Sequence, residues 1–293
     1  MPHKSGFVSI VGNPNVGKST LSNLLVGERL SIITSKAQTT RHKIFGIVNE
    51  KDYQIIFSDT PGVLEPAYKL QESMLKYSKS ALTEADIILF ITDTIEKYGK
   101  NENFIKTVST LNTPIFLIIN KIDVSTQEEL EKLVVFWKNI LPSAEIFPIS
   151  ALKKFNTDNL FKRILELLPQ SPPYFDKDAL TDKPQRFFVS EIIREKILLY
   201  YQKEIPYSTE VEIEEFKEAT QRVDIKAVIH VMRDSQKGII IGHQGKALKK
   251  LGIEARKDIE SFLDKKVNIQ IFVKVSKDWR NKDKFLKNFG YEH

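Results

Sequence analysis

The chain has 293 residues and a mass of 33.7 kDa, which is long for one ordinary domain and about right for two. Hydrophobic residues make up 41% and cysteine is absent, so the composition supports a packed core and excludes disordered chains, disulfide scaffolds, thiolate metal sites and cysteine nucleophiles. The net charge of +6 is uneven, because residues 231–293 carry +7 and residues 1–170 only +2. A local positive excess is typical of a module that binds a polyanion, although a solvated lysine-rich surface gives the same pattern.

The first 168 residues alternate short apolar runs, rich in β-branched and aromatic residues, with amphipathic stretches. The runs predict strands at 7–11, 54–57, 86–91, 114–119 and 146–149, and the amphipathic stretches predict helices at 69–82, 126–140 and 156–168. Near-continuous apolar strands separated by helices are typical of an α/β fold with a mostly parallel, doubly wound sheet. We expect this domain to span residues 1–170. Four prolines between 169 and 184 predict a linker over 171–185.

The pattern changes after the linker and predicts a smaller α+β domain over residues 186–293. Its expected elements are helices at 187–201 and 246–262 and strands at 211–214, 223–231 and 267–275. Phe285 and Phe289 recur at helical spacing near the C-terminus. Residues 277–291, including Trp279, could form a docked helix or a tail that contacts a ligand, and this spacing favours the docked helix.

Residues 12–20 read G-N-P-N-V-G-K-S-T and fit the phosphate-binding pattern G-x-x-x-x-G-K-[ST] between a predicted strand and a predicted helix. The glycines allow backbone N–H groups to turn toward phosphate oxygens, and the helix N-terminus adds positive potential. Lys18 is expected to reach the β- and γ-phosphates, and the Ser19 hydroxyl to bind Mg²⁺. The predicted nucleotide-binding residues of this loop are Gly12, Asn13, Pro14, Asn15, Val16, Gly17, Lys18, Ser19 and Thr20.

Two further segments are expected at the γ-phosphate. Asp59-Thr60-Pro61-Gly62 follows a predicted strand, so Asp59 can hold Mg²⁺ through water and the Gly62 N–H can face the phosphate. Residues 38–42 form a polar segment in which Thr39 or Thr40, with Thr40 favoured, can lend a hydroxyl to Mg²⁺. The predicted nucleotide-binding residues of the first segment are Asp59, Thr60, Pro61, Gly62 and Val63, and those expected to act in hydrolysis are Lys18, Thr40 and Gly62.

Base recognition is predicted at two other strand ends. Asp123, in Asn120-Lys121-Ile122-Asp123, can accept two hydrogen bonds from the N1–H and amine of guanine, a donor pattern that adenine reverses. Asn120 would brace the loops, the Lys121 stem would lie over the base, and Ser150-Ala151 can offer an N–H to guanine O6. Four motifs in this order, each at the carboxyl end of a strand, predict a GTP site. The chain here resembles the translation-factor class of GTPases.

One position departs from the Ras-like pattern, in which a glutamine after D-x-x-G orients the attacking water. This chain has Val63 there, so we expect slow basal hydrolysis. One hypothesis is that a monovalent cation such as K⁺ binds near Asn15, as in related GTPases with asparagine at this position of the loop. Equal rates in KCl and NaCl would contradict it.

Residues 239–252 contain an apolar run, G-x-x-G and a predicted helix, and resemble the signature of a KH domain. The glycines let a single-stranded RNA backbone approach main-chain N–H groups, and the following lysines add charge. His243 and Gln244 are neutral where many such loops carry a basic residue, so we expect a weaker grip on the backbone. The predicted RNA-binding residues are Ile241, Gly242, His243, Gln244, Gly245, Lys246, Lys249 and Lys250.

These motifs in one chain, together with Ser190–Lys196 and Gly252–Asp258, resemble the Era family of bacterial ribosome-assembly GTPases from Phe7 to about Tyr291. The resemblance implies a type II KH domain, Mg²⁺ with GTP or GDP, and binding near the 3′ end of 16S rRNA during assembly of the 30S ribosomal subunit. It also implies peripheral association with the cytoplasmic face of the inner membrane. We expect a cytoplasmic protein, since the sequence has no bilayer-length apolar run and no signal-peptide core. We also expect a monomer.

Two classes of function stay open. In the first, GTP orders the segment around Thr39 and Thr40 and thereby controls RNA binding, and hydrolysis times release. In the second, the basic C-terminal domain docks to membrane lipid or protein, and RNA is incidental. A tRNA-modifying GTPase is a third interpretation, but it would need a cofactor domain for which the chain has no room.

Overall fold

The structure, a computed structural model, describes residues 2–96 and 101–291 and divides into two compact units. The first unit contains residues up to Ala67 and Gln71–Asp182, and the second contains Tyr68–Leu70 and residues from Lys183 onward. No helix in the described residues combines the length and apolar character needed to cross a bilayer.

The first unit is an α/β layer structure. Its strands are β1 (Lys4–Gly12), β2 (Ile44–Asn49), β3 (Tyr53–Asp59), β4 (Ile87–Asp93), β5 (Ile115–Asn120) and β6 (Glu145–Pro148). The helices are α1 (Lys18–Val26), α2 (Lys69–Glu84), α3 (Glu102–Ser109), α4 (Gln127–Ile140) and α5 (Thr157–Leu167). The sheet order is β2-β3-β1-β4-β5-β6, and every neighbouring pair is parallel except β2 with β3. The mostly parallel sheet expected from the sequence is confirmed, whereas β2 and α3 were not predicted.

The continuous apolar strands are explained by two cores, one on each face of the sheet. In β4, Ile87, Leu89 and Ile91 belong to one buried cluster, and Ile88 and Phe90 belong to the other. Since successive residues of a strand point to opposite faces, a strand covered on both sides must be apolar at every position. The carboxyl ends of β1, β3, β4 and β5 therefore lie along one edge of a rigid sheet.

The segment predicted as a linker is packed against the first unit as far as Asp182. The side-chain carbonyl of Gln54 accepts hydrogen bonds from the backbone N–H groups of Tyr174 (2.7 Å) and Phe175 (3.0 Å). The Ile47 N–H donates to the Leu180 carbonyl oxygen (2.8 Å). Residues 171–182 thus extend the first unit beyond the predicted limit at residue 170.

The second unit has a three-stranded sheet covered by helices. Its elements are α6 (Gln185–Tyr200), β7 (Glu210–Glu218), β8 (Arg222–Val231), α7 (Asp234–Ile241), α8 (Lys246–Leu263), β9 (Lys266–Val275) and α9 (Asp283–Asn288). The order is β7-β8-β9, with β7 antiparallel and β9 parallel to β8. The apolar residues of β9 that alternate inward pack on α6 and α8 in one core. The expected α+β class is confirmed, and α7 is an additional helix.

The C-terminal residues dock, but through other side chains than the spacing indicated. Trp279 is fully buried, and its indole N–H donates to the Ser208 carbonyl oxygen (2.9 Å). Tyr291 is also buried. Phe285 and Phe289 stack on each other with ring centroids 6.0 Å apart and are only half-buried. The helical spacing of the two phenylalanines therefore marked a partly exposed pair, and the buried side chains of this segment include Trp279, Leu286 and Tyr291.

Candidate functional site

The loop between β1 and α1 folds around the ammonium group of Lys18. This side chain is 6% exposed, and its Nζ donates hydrogen bonds to the carbonyl oxygens of Gly12 (3.1 Å) and Asn13 (2.7 Å). Burial lowers the pKa of Lys18 to about 8, and the carboxylates of Asp59 and Glu96 oppose that shift. In the described part of the chain this buried cation is hydrogen-bonded to carbonyl oxygens and to no carboxylate, so it is available to an incoming anion.

The two glycines of this loop are required by close backbone approaches. Gly12 has a φ of 150°, and an added Cβ would lie 2.1 Å from the Ile91 carbonyl oxygen. Gly17 has a φ of 99°, and an added Cβ would lie 2.2 Å from Asn120 Nδ2. Because α1 begins at Lys18, the positive end of its dipole lies at the same loop. The local structure is that of a phosphate-binding loop.

Three oxygen-bearing side chains meet beside Lys18. The Ser19 hydroxyl is 2.8 Å from Thr40 Oγ1 and donates to Asp59 Oδ2 (2.8 Å). Asp59 is buried, burial raises its pKa, and its Oδ1 accepts no hydrogen bond from the described residues. This all-oxygen set with an unsatisfied carboxylate oxygen fits Mg²⁺. The Thr39 hydroxyl, predicted as an alternative ligand, instead lies 2.7 Å from Thr34 Oγ1 and donates to the Lys36 carbonyl oxygen (2.6 Å).

The predicted base-recognition residues also meet. The Ser150 hydroxyl donates to Asp123 Oδ1 (2.6 Å), although these residues lie 27 positions apart. Lys121 Nζ donates to the Asn15 carbonyl oxygen (2.7 Å) and lies 2.6 Å from Asp93 Oδ2. The Lys121 stem therefore crosses to the phosphate-binding loop, and the Asp123 carboxylate stands exposed beside it.

Asn120 joins the phosphate and base loops. Its Nδ2 donates to the Val16 carbonyl oxygen (2.9 Å), and its Oδ1 accepts from the Ala151 N–H (3.0 Å). Both bonds are buried, so a single amide fixes the separation of two loops. This is the bracing arrangement that the sequence led us to expect.

The residues after Asp59 divide between the core and the cleft. Thr60 is fully buried and donates its hydroxyl hydrogen to the Ile10 carbonyl oxygen (2.7 Å), and Pro61 is also buried. Val63 is 3% exposed and packs in the core. Gly62 alone of these four lines the cleft. The predicted ligand contacts of Thr60, Pro61 and Val63 are thus restricted to their backbones, as is that of the buried Val16.

A cleft of about 470 Å³ lies over the phosphate-binding loop. Its walls are formed by Pro14, Asn15 and residues 17–20, by residues 32–36 and 38–40, and by Gly62 and Lys121. A cavity of this size is typical of a small-molecule site. Of the predicted base residues, Lys121 lines this cleft, and Asn120 joins the base loops to the phosphate-binding loop.

In the second unit, the G-x-x-G segment is an exposed turn between α7 and α8. Gly242 and Gly245 have φ values of 70° and 73°, and His243 and Gln244 stand exposed between them. An added Cβ at Gly242 would lie 2.6 Å from Ala247 Cβ, whereas the space around Gly245 is open. The main chain at Gly245 is therefore not covered by neighbouring side chains.

A cleft of about 400 Å³ runs from this turn between α8 and β9. Lys249, Ile253 and Arg256 line it, each about one helical turn from the next. Lys250 instead lies with its Nζ 5.1 Å from the centre of the Tyr200 ring. Of the predicted RNA-binding lysines, Lys249 therefore faces the cleft, and Lys250 is directed to another side of α8.

Comparisons with known proteins follow the same two units. A family model described as a 50S ribosome-binding GTPase matches residues 7–121, and a KH-domain model matches residues 204–280. The curated GTPase Era of Alkaliphilus metalliredigens (strain QYMF) is 46% identical over 295 residues, which is 100% of both chains. The chain belongs to the Era family of GTPases. Both the GTPase class and the KH domain expected from the sequence are confirmed.

Two solved Era structures are similar over the whole chain. One, of Era in complex with MgGDPNP and nucleotides 1506–1542 of 16S ribosomal RNA, has a TM-score of 0.95 and 41% identity. The other, of a variant of Era from Aquifex aeolicus bound to GDP·AlF₄⁻, has a TM-score of 0.94 and 41% identity. Each match covers 99% of this chain and 100% of the other.

Some residues at these sites of this Era-family chain had no motif to reveal them. Arg256 lines the cleft of the second unit, but one basic residue on a basic helix carries no signal. Asn13, Glu96 and Asn101 are hydrogen-bonded side by side at the phosphate-binding loop, although they are 83 and 88 positions apart. Only Asn13 lay within a recognisable motif.

Proposed function

We propose that this Era-family chain is a GTP-hydrolysing switch that binds 16S rRNA near its 3′ end and acts in assembly of the 30S subunit in the cytoplasm. The observation that carries the nucleotide part is the double hydrogen bond of Asn120, which joins the loop around Lys18 to the loop of Ser150 beside Asp123. Such a site contacts a phosphate chain and a guanine at once. Association with the inner membrane remains an expectation of the family resemblance.

Ser19, Thr40 and Asp59 are the residues that would hold Mg²⁺ in this proposal. The ion would supply positive charge to the phosphate oxygens. Thr40 is preferred to Thr39 because its hydroxyl already lies against that of Ser19. Thr40 belongs to the segment that lines the cleft. Binding of Thr40 to Mg²⁺ would therefore depend on whether a γ-phosphate is present.

Hydrolysis adds the oxygen of one water to the γ-phosphorus, breaks the bond to the bridging oxygen of GDP and leaves the water's protons on phosphate and solvent. Lys18 would neutralise charge on the phosphate oxygens, and the Gly62 N–H would face them. Val63 supplies no side chain to orient the water, which supports slow basal turnover.

The proposal also includes a monovalent cation near Asn15. Asn15 is exposed with a φ of 66°, and its carbonyl oxygen already accepts a hydrogen bond from Lys121. Because Asn15 is exposed, its side chain is accessible at the phosphate-binding loop. Faster hydrolysis in KCl than in NaCl is expected, and equal rates would remove the cation from the proposal.

The RNA part rests on the open turn at Gly245 and on the cleft beside it. Main-chain groups there can approach a sugar–phosphate backbone, and Lys249 and Arg256 supply charge along the cleft. β9 is an edge strand of its sheet, and its residues Asn268, Ile269 and Ile271 line the same cleft.

Gly245→Asp tests the RNA assignment most cleanly. Aspartate tolerates a positive φ and the space is open, so the fold should survive while a negative charge meets the RNA backbone. Gly242→Asp is a poorer test because it would displace α8 at Ala247. Gly238→Asp is the matched control, since it adds the same charge on exposed α7 with nothing within 4 Å.

The assay is binding of a single-stranded RNA with the 3′-end sequence of 16S rRNA over a series of salt concentrations. Loss of binding in Gly245→Asp, with binding kept in Gly238→Asp, is expected. Equal RNA binding by both variants and the wild type would refute the RNA assignment. Binding to anionic lipid vesicles, tested in parallel, would then favour membrane docking by the basic domain.

A further inference from the structure

The backbone of Val63 is held on both sides. Its N–H donates to the Gly12 carbonyl oxygen (3.0 Å), and its carbonyl oxygen accepts from Asn101 Nδ2 (2.9 Å). Its side chain is buried in the core. Gly62, which borders the cleft, and its neighbour Val63 therefore have a defined position relative to the phosphate-binding loop.

Asn101 belongs to a chain of hydrogen bonds with a fixed direction. The same Nδ2 also donates to Asn13 Oδ1 (2.6 Å), and Asn13 Nδ2 donates to Glu96 Oε2 (2.8 Å). The other Glu96 oxygen accepts from the Thr92 hydroxyl. A carboxylate only accepts hydrogen bonds, so Glu96 fixes the orientation of the Asn13 amide, which in turn fixes that of Asn101. The two hydrogens of the Asn101 amide are then directed at Asn13 and Val63.

This chain of bonds reaches the base side of the site. The Glu96 N–H donates to Asp93 Oδ1 (2.8 Å), and Asp93 Oδ2 pairs with Lys121 Nζ (2.6 Å). Helix capping does not account for the Asn101 side chain, because it makes no capping hydrogen bond to α3. Its φ of 60° does favour asparagine, but glycine would meet that requirement equally well.

We infer that Asn101 is a positioning residue for GTP hydrolysis, which holds the Gly62–Val63 backbone where the γ-phosphate and the attacking water meet it, with Glu96 acting through Asn13 to orient its amide. This inference rests on the proposed GTPase function. Where a Ras-type enzyme has a glutamine side chain for the water, this chain has a backbone segment that the Asn101 amide holds together with the Gly12 carbonyl oxygen and the buried Val63 side chain.

Two variants separate this role from folding. Asn101→Gly keeps the positive φ and removes the amide, and Asn101→Asp keeps the shape but sets a carboxylate against two oxygen acceptors. Asn156→Gly is the matched control, because Asn156 also precedes a helix, α5, with a φ of 60°. The expected kcat at saturating GTP is at least about tenfold lower in both Asn101 variants and unchanged in the control.

The readouts are kcat, the dissociation constant of GDP, and formation of the GDP–aluminium fluoride complex, which imitates the transferring phosphoryl group. We expect Asn101→Gly to bind GDP within twofold of wild type and to fail to form the aluminium fluoride complex. A kcat within twofold of wild type in both Asn101 variants would overturn the inference, as would equal losses of kcat and GDP affinity. Failure of the wild-type chain to hydrolyse GTP would instead refute the proposed function.

Discussion

The buried Lys18 makes nucleotide binding depend on pH in a way that can be calculated. Its pKa of about 8 in the ligand-free protein means that roughly half of the molecules carry a neutral amine at pH 8, and about three quarters at pH 8.5. A phosphate group needs the charged form and raises the pKa again by pairing with it. As pH rises through 8, the free protein therefore loses a proton that the complex retains.

The expected size follows from that titration. Binding of GDP should take up about half a proton at pH 8, and its affinity should fall about fourfold between pH 7 and pH 8.5. The terminal phosphate of GDP is fully ionised over most of this interval and contributes little. Measurements stay at or below pH 8.5 because the N1–H of guanine titrates at more alkaline pH.

Isothermal titration calorimetry in two buffers of different ionisation enthalpy gives the proton count directly. The buffers contain EDTA, so that Mg²⁺ binding does not enter the proton count, and they contain no phosphate. Lys18→Arg is the control. Because arginine stays charged throughout this pH range, the variant should lack the proton uptake that comes from Lys18, whatever its affinity for GDP. A proton uptake that is the same in wild type and Lys18→Arg would show that the reasoning about burial is wrong.

Asp123→Asn should weaken GDP about a hundredfold and strengthen xanthosine diphosphate, because the amide can donate to the oxygen that replaces the guanine amine. Competitive titration with both nucleotides measures this, and an unchanged preference for GDP would remove Asp123 from the base site. Lys249→Ala should weaken the rRNA fragment and lower the slope of log affinity against log salt by about one, and Lys250→Ala should do less because its ammonium lies over Tyr200. Equal salt slopes for the two variants would contradict the assignment of Lys249 to the cleft.

Local motifs made much of the first unit predictable. A phosphate-binding loop needs its glycines, lysine and serine within nine consecutive residues. A buried parallel strand is recognised by a continuous run of apolar residues. β2 was not predicted because it is an edge strand and contains Gly46, which interrupts its apolar run. α3 escaped because only Phe104 and Val108 of its residues are buried, too few to set a helical period.

At the two sites, the sequence could not assign roles to adjacent residues of the same type or detect contacts between distant residues. Thr39 and Thr40 have the same chemistry, and they differ in their hydrogen bonds, which join Thr39 to Thr34 and Lys36 but Thr40 to Ser19. Lys249 and Lys250 are neighbours whose side chains leave the helix about 100° apart, so one spacing rule could not assign both. The amide chain from Asn13 to Asn101 joins residues 88 positions apart, and no sequence pattern records such a contact.

The segment 171–182 also protects the first unit. β2 is an edge strand, and an open edge is a template for pairing with another chain. Here the Ile47 N–H bonds to Leu180, the Phe45 N–H bonds to the Asp182 carboxylate (3.0 Å), and Thr181 bridges to Gly46. A recombinant fragment cut at residue 170 would expose the edge of β2 and is expected to self-associate. A fragment that ends after Asp182 would keep this edge covered.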